Sequence, residues 1–378
     1  MKKGWKIAGM SLLMVILLIL TILLSYVAYL SANYYRIEDN LAVTVNNNKE
    51  EMVALGNTYS ISTYNIGFGA YSHDFSFFMD SGEMLDGTKV SGKESRGKDK
   101  ETTLYNTNGA IDVIMGLGAD FSFFQEVDVK ADRSHYVNQY EMIATSFEDY
   151  SNSYVENFHT GYLAYPLTNP IGASKSGQVT LSKYKIDESI RRSFPVDESF
   201  IQKFFDLDRC FEVNYLPIQN STKYLVLINL HMSAYDEGGK IREKQLDMLL
   251  SFMQNEYDKG NYVIAGGDWN HDIADSINTF SSAQKVPEWV KEISDDELPE
   301  HFSFAKDTHV ATCRSTDMPY EKGVNYTVVL DGFLVSDNIQ IDSIENIDTD
   351  FGYSDHNPAY MTFTLLAQEE DTGDEVAE

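Results

Sequence analysis

The chain has 378 residues, 58 of them acidic against 29 basic, and a net charge of −29. Such a surface repels polyanions and counts against a processive nuclease, because non-specific nucleic-acid binding rests on basic patches, though a local basic strip would suffice for one. The length suits one large domain or two small ones, and with Cys210 and Cys313 the only cysteines, neither a disulfide framework nor a Cys/His zinc site is implied.

Lys2, Lys3 and Lys6 precede a stretch from Ile7 to Tyr35 that carries no charge. Its apolar part, residues 7–30, is roughly 36 Å long as a helix and long enough to cross a bilayer with some tilt. Leu30-Ser31-Ala32 is a poor cleavage site and the run is long for a cleavable signal, so an uncleaved signal-anchor is expected. The lysines keep residues 1–6 cytoplasmic and send the rest of the chain outside the cell membrane. Residues 31–57 are polar and Asn-rich, which predicts a stalk with one helix at most. Residues 58–366 read as one globular unit without linker or repeat. Residues 367–378, strongly acidic, read as a disordered tail.

Within the globular unit, runs rich in β-branched and aromatic residues predict strands at 59–66, 121–124, 161–165, 178–181, 211–218, 224–230, 262–265, 327–335 and 359–365. Helices are predicted at 108–117 and at 240–257, where Ile241, Leu246, Leu249, Leu250 and Met253 follow a helical period. Strands and helices mixed over one long unit predict an α/β layered sandwich with helices outside the sheets. The interval 72–108 has no convincing strand, yet residues 89–100 hold five basic residues against two acidic ones. It is either a solvated loop or a lid that brings Lys93 and Arg96 to an anionic substrate.

Polar residues stand at the strand ends in order: Asn65, Glu126, His231, Asp268 with Asn270, Asp331, and Asp355 with His356. Taken singly, each has an ordinary explanation as a turn former, a cap or a satisfied core residue. Together they supply what metal-assisted phosphoester cleavage needs. Magnesium, or manganese in its place, prefers oxygen donors and takes few protein carboxylates; Glu126 would be the main ligand and Asn65 an ancillary one. Asp268, held by Asn270 and the turn after Gly267, would align the attacking water. His356 and His231 would donate to phosphoryl oxygens, with Asp331 keeping His356 charged.

The stretches Thr63-Tyr64-Asn65-Ile66-Gly67, Gln125-Glu126-Val127, Ser176-Gly177-Gln178-Val179-Thr180-Leu181-Ser182-Lys183, Asn229-Leu230-His231, Gly267-Asp268-Trp269-Asn270, Leu330-Asp331-Gly332-Phe333 and Ser354-Asp355-His356-Asn357-Pro358 resemble, in this order, the endonuclease/exonuclease/phosphatase superfamily with its deoxyribonuclease-I-like fold. The resemblance implies a four-layer αββα sandwich of two mixed sheets flanked by helices. It implies hydrolysis of phosphoesters with a divalent metal and no covalent intermediate. It also implies a metal-supporting role for Asp355 and a phosphate contact for His356. Trp269 replaces a frequent Phe, and Gln178, following Gly177, is expected to touch phosphate.

Fold alone does not name the substrate. The expected partners are a phosphoester, whether lipid headgroup, envelope polymer, small phosphodiester or nucleic acid, and the membrane holding the N-terminal helix; no protein partner is inferable. The acidic surface favours a phosphodiesterase over an extracellular nuclease. A surface binding module that keeps the fold without turnover is the alternative of another class.

Overall fold

The computed structural model describes residues 2–197, 199–200, 202–234 and 240–367. Two seven-stranded mixed sheets make its centre. In the first, the strand order is Leu41–Ala42, Glu188–Ser193, Cys210–Pro217, Tyr224–His231, Tyr262–Asp268, Asp331–Ser336 and Phe302–Ala305. In the second it is Ile339–Asn346, Ala359–Leu365, Thr58–Asn65, Phe121–Asp128, Gly172–Ser182, Ser151–Leu163 and Val45–Asn46.

Alternation of side chains along each strand sends successive residues to opposite faces, and here both faces are covered. Inward residues Ile61, Phe121, Phe123 and Phe363 meet Leu225, Leu227, Ile264 and Phe333 of the opposite sheet. Each such side chain contributes on the order of 1.5–3 kcal/mol by leaving water. Outward residues Tyr64, Phe124 and Val179 pack under the helices Lys100–Leu117 and Gln139–Ser146. The helix Lys240–Asp258 lays Leu249 and Met253 on Val226 and Val263 of the first sheet. The four-layer αββα sandwich expected from the sequence is present.

Part of the space between the sheets is polar and internally bonded. Gln125 Nε2 donates to Asn229 Oδ1 at 2.8 Å, Asn229 Nδ2 to the Val179 carbonyl at 3.0 Å, and Thr180 Oγ1 to Glu212 Oε2 at 2.6 Å. Such paired groups make burial of polar side chains tolerable.

Several boundaries differ from expectation. The helix predicted from 108 begins at Lys100, because Asp99 accepts from Thr102 N at 2.8 Å and caps it; its first turns bury Thr103, Asn106 and Thr107, so no apolar stripe marks them. The run 161–165 is only the end of the strand Ser151–Leu163. The run 327–335 divides into Thr327–Val328, paired with Cys313–Arg314, and the sheet strand Asp331–Ser336. The strands Glu188–Ser193 and Ile339–Asn346 were not expected: the first is mostly polar and buries Ser189 and Arg191, and the second, an edge strand, turns its polar face to solvent. Residues 31–57, expected as a stalk with one helix, instead contribute an edge strand to each sheet, and Val53 is fully buried beside Leu216. The apolar helix runs Lys2–Asn33, and its apolar stretch is uncovered among the described residues except at its end, where Leu30 is buried. The expected acidic tail lies outside the described residues from 368 onward.

Candidate active site

Four strands deliver the central residues at their carboxyl ends. Thr58–Asn65 and Phe121–Asp128 run parallel in one sheet, Tyr224–His231 and Tyr262–Asp268 parallel in the other. Register then sets neighbours: His231 pairs with Asp268, and Asp268 with Asp331 on the antiparallel strand Asp331–Ser336.

Asp268 is buried at the centre of the cluster. Its Oδ2 accepts from Asn65 Nδ2 at 2.9 Å and lies 3.3 Å from His231 Nε2 and 3.7 Å from His356 Nε2. Its Oδ1 accepts from the Asn270 backbone N–H at 2.9 Å. Asn270 turns the chain in the left-handed region at φ 50° and donates its Nδ2 to the Met232 carbonyl, which fixes the turn after Asp268. Trp269 is fully buried, edge-on to Phe304.

His356 Nδ1 is 2.7 Å from Asp331 Oδ2, and both side chains are buried. Burial alone would discharge His356, but Asp331, helped by Asp268, holds it well above the usual imidazole range. Burial pushes Asp331 up to about 6 against the pull of His356. The short contact and the second carboxylate favour a charged His356. His231 is the opposite case. Burial first, then the charges of Arg209, His356 and Arg133, lower it well below the usual range. A neutral His231 has a single proton, and its Nε2 faces Asp268 while Nδ1 is buried without a partner.

Glu126 sits in a bulge between Phe124 and Val127 with φ 56°, the device by which a strand re-aims one side chain. Its Oε1 lies 3.4 Å from Asn65 Nδ2 and 4.0 Å from His231 Nε2. Asp355 follows Ser354, whose hydroxyl donates to the Asn65 carbonyl at 2.8 Å. Burial raises both carboxyls, and the charge of Asp355 adds to the rise at Glu126. Among the described residues neither pairs with a lysine or arginine. Two partly buried carboxylates that, among the described residues, form no ion pair with a lysine or arginine and offer hard oxygens fit a divalent cation. Asp268, Asp331 and His356 also offer atoms within 4.8 Å of one another, but the His356–Asp331 bond already occupies that trio.

A cavity of about 460 Å³ has Glu126, His231, Asp268, Asn270, Asp355 and His356 in its wall. Lys93 and Arg96 do not line it. Lys93 is exposed, and Arg96 Nε donates to Asn169 Oδ1 at 3.0 Å. Gln178 is buried between the sheets, its Oε1 facing Cys210 Sγ, and it too stays out of the cavity wall. The cations that do line the cavity are Arg133, Arg209 and Arg314. Arg133 is committed to Asp128 through two hydrogen bonds. Arg209 is buried with Nε and Nη1 unpartnered, and Arg314 Nε is unpartnered likewise. Sequence reading missed both, because neither follows a recognisable strand end. Their scarcity among 58 acidic residues was the available signal.

No protein-family profile matches the chain, and no curated protein matches it in sequence. Solved structures do match in shape. An endonuclease/exonuclease/phosphatase from Beutenbergia cavernae superposes with TM-score 0.53 at 13% identity, covering 82% of this chain and 72% of that one. ANGEL2, described as a 2',3'-cyclic phosphatase and solved with adenosine-2',3'-vanadate, superposes with TM-score 0.52 at 15% identity, covering 88% and 100%.

Proposed function

Since the chain has the endonuclease/exonuclease/phosphatase fold, we propose that it is a divalent-metal-dependent phosphoester hydrolase, acting as a phosphodiesterase on the outer side of the cell membrane. The observation that carries the reading is the convergence on Asp268: a buried carboxylate touched by Asn65, His231 and His356, with Asp331 behind His356.

Asp268 accepts a hydrogen bond from a water in the cavity and aligns it with the phosphorus; an oriented acceptor of this kind supplies both position and proton affinity. His356, charged through Asp331, donates from Nε2 to a non-bridging oxygen and stabilises the charge that grows there. His231, neutral, keeps Asp268 in place through Nε2. Asn65 bonds Asp268 and Glu126 through Nδ2 while Gly67 N donates to its Oδ1, so it acts as a positioning residue first. Arg209 and Arg314, in the cavity wall, supply positive charge that attracts the anion. Magnesium, or manganese in its place, would be held by Glu126 and Asp355 and, when bound, supplies Lewis-acid neutralisation of the phosphoryl and leaving oxygens. The outward orientation is supported by Lys2, Lys3 and Lys6 ahead of the apolar helix.

The test uses the full chain in detergent micelles with bis-p-nitrophenyl phosphate. Turnover is expected with magnesium and absent after chelation or in Glu126→Ala. Turnover indifferent to chelator would remove the metal from the mechanism. Magnesium binding by calorimetry without turnover of any phosphodiester would leave a binding module.

A further inference from the structure

The apolar helix is clamped to the domain at its outer end. Tyr26 Oη donates to the Tyr162 carbonyl at 3.1 Å, Tyr162 N donates to Tyr29 Oη at 2.9 Å, and Ala164 N to Tyr26 Oη at 2.8 Å. Leu30 is buried against Leu163, Ile171 and Phe204. These contacts fall in the last turns of the apolar stretch, the depth at which a spanning helix meets the headgroups. The loop after Ser151–Leu163 is therefore held at the bilayer surface.

That neighbourhood exposes several large apolar side chains. Leu167 is 88% exposed, Phe200 58%, Tyr165 57% and Met79 48%. Lys203 lies over the Tyr34 and Phe200 rings at 4.9 and 5.1 Å, a cation at headgroup level on a chain that is otherwise strongly acidic.

An aromatic track leads from this face to the site. Tyr165 packs on Phe78 with centroids 5.6 Å apart, Phe78 on Phe77 at 5.1 Å, Phe77 near Tyr71 at 6.3 Å, and Tyr71 on Phe68 at 5.4 Å. All five residues line the cavity that holds Asp268 and His356, and Phe78 also packs in the cluster at the helix exit. A substrate that was wholly polar would gain nothing from such a wall.

We infer that this face rests on the bilayer crossed by the helix, and that the site takes a phosphoester lipid from the same leaflet, with its phosphate at Asp268 and its apolar part along the aromatic track. The inference rests on the hydrolase reading given above. Water adds to phosphorus, the P–O bond to the membrane-resident alcohol breaks, and a hydrogen of the water ends on that alcohol, which stays in the bilayer while the phosphorylated headgroup leaves.

The experiment places the full chain in nanodiscs of phosphatidylcholine, phosphatidylglycerol and sphingomyelin with magnesium, and follows released headgroups by mass spectrometry. Bis-p-nitrophenyl phosphate and a single-stranded DNA oligomer are assayed in parallel. Cleavage of at least one lipid is expected. Leu167→Glu is expected to reduce it at least about tenfold while leaving kcat/KM on the soluble diester within about twofold, because only the bilayer contact is touched. A second readout needs no turnover: Leu167→Cys carrying an environment-sensitive fluorophore is expected to be quenched by doxyl lipids, with Cys210 and Cys313 buried and out of reach of the label. Diester cleavage without lipid cleavage, or a preference for DNA, overturns the lipid assignment and leaves the hydrolase standing. An unquenched fluorophore overturns the bilayer contact. Failure on all three substrates removes the hydrolase reading and the lipid assignment with it, and the quenching result then decides the bilayer contact alone.

Discussion

Asp268 and His356 stand in one contact chain, Asp331–His356–Asp268–Asn65, so each loses its meaning when a neighbour changes charge. Asp268→Asn and His356→Ala are each expected to lower kcat at least about a hundredfold, the scale of acid–base and charge-stabilising groups. Turnover of bis-p-nitrophenyl phosphate at a near-normal rate by either variant would take that residue out of the mechanism. Arg209 differs in kind: on the proposed reading its charge in the cavity wall would attract the anion equally before and during reaction. Arg209→Met should raise KM at least about tenfold with kcat little changed. Lys93→Met and Arg96→Met, outside the cavity wall, should leave KM where it is. Strand-end position was enough to bring Asn65, Glu126, His231, Asp268 and His356 together, whereas Lys93 and Arg96 lie outside the cavity wall that Arg209 and Arg314 line. A basic run in a loop is visible in one dimension; an arginine brought in from a short two-residue strand is visible only in three.

At the level of elements, the turn after Tyr262–Asp268 explains why a glycine precedes Asp268. Gly267 has φ 144°, and a Cβ there would lie 2.0 Å from the Leu230 carbonyl oxygen on the parallel neighbour. Gly267→Ala must therefore push apart the two strands that present His231 and Asp268. It is expected to cost more than about 2 kcal/mol in urea unfolding, as clashes with backbone do, and to lower kcat as well. Unchanged stability would mean that the strands yield more readily than their pairing suggests. Strand existence was legible where both faces are buried, as at Tyr224–His231, since continuous apolar runs announce it. The edge strand Ile339–Asn346 was not, because one row of backbone bonds and a mostly exposed polar face leave no pattern.

For the molecule as a whole, acid stability carries a signature of the site's surroundings. His271 is buried, its Nδ1 2.8 Å from the Trp269 carbonyl. Burial, only partly offset by that hydrogen bond, lowers it to about 4. Between that value and the unfolded value of about 6.5, the unfolded chain holds a proton that the folded one does not. Its contribution is complete above about pH 6.5 and is lost as pH falls towards 4, on the order of 3 kcal/mol in all. His271→Asn, which keeps a donor for the carbonyl, should flatten the pH dependence of unfolding free energy across that window. A slope identical to the wild type would assign the acid sensitivity elsewhere.

Length, periodicity and the order of seven short motifs were sufficient for the sandwich, the apolar helix and the identity of most residues around Asp268. These features rest on local rules: alternation in a strand, an uncharged run of helical length, a polar residue where a strand ends. Tertiary structure decided what depends on contacts between distant segments. It brought Arg209 and Arg314 to the cavity in place of Lys93 and Arg96, set His231 neutral beside a charged His356, and folded residues 31–57 onto both sheets. It also joined Tyr26 and Leu30 of the apolar helix to the aromatic wall of the site. Burial and charge proximity are sums over neighbours, and the neighbours are assigned only when the chain closes on itself.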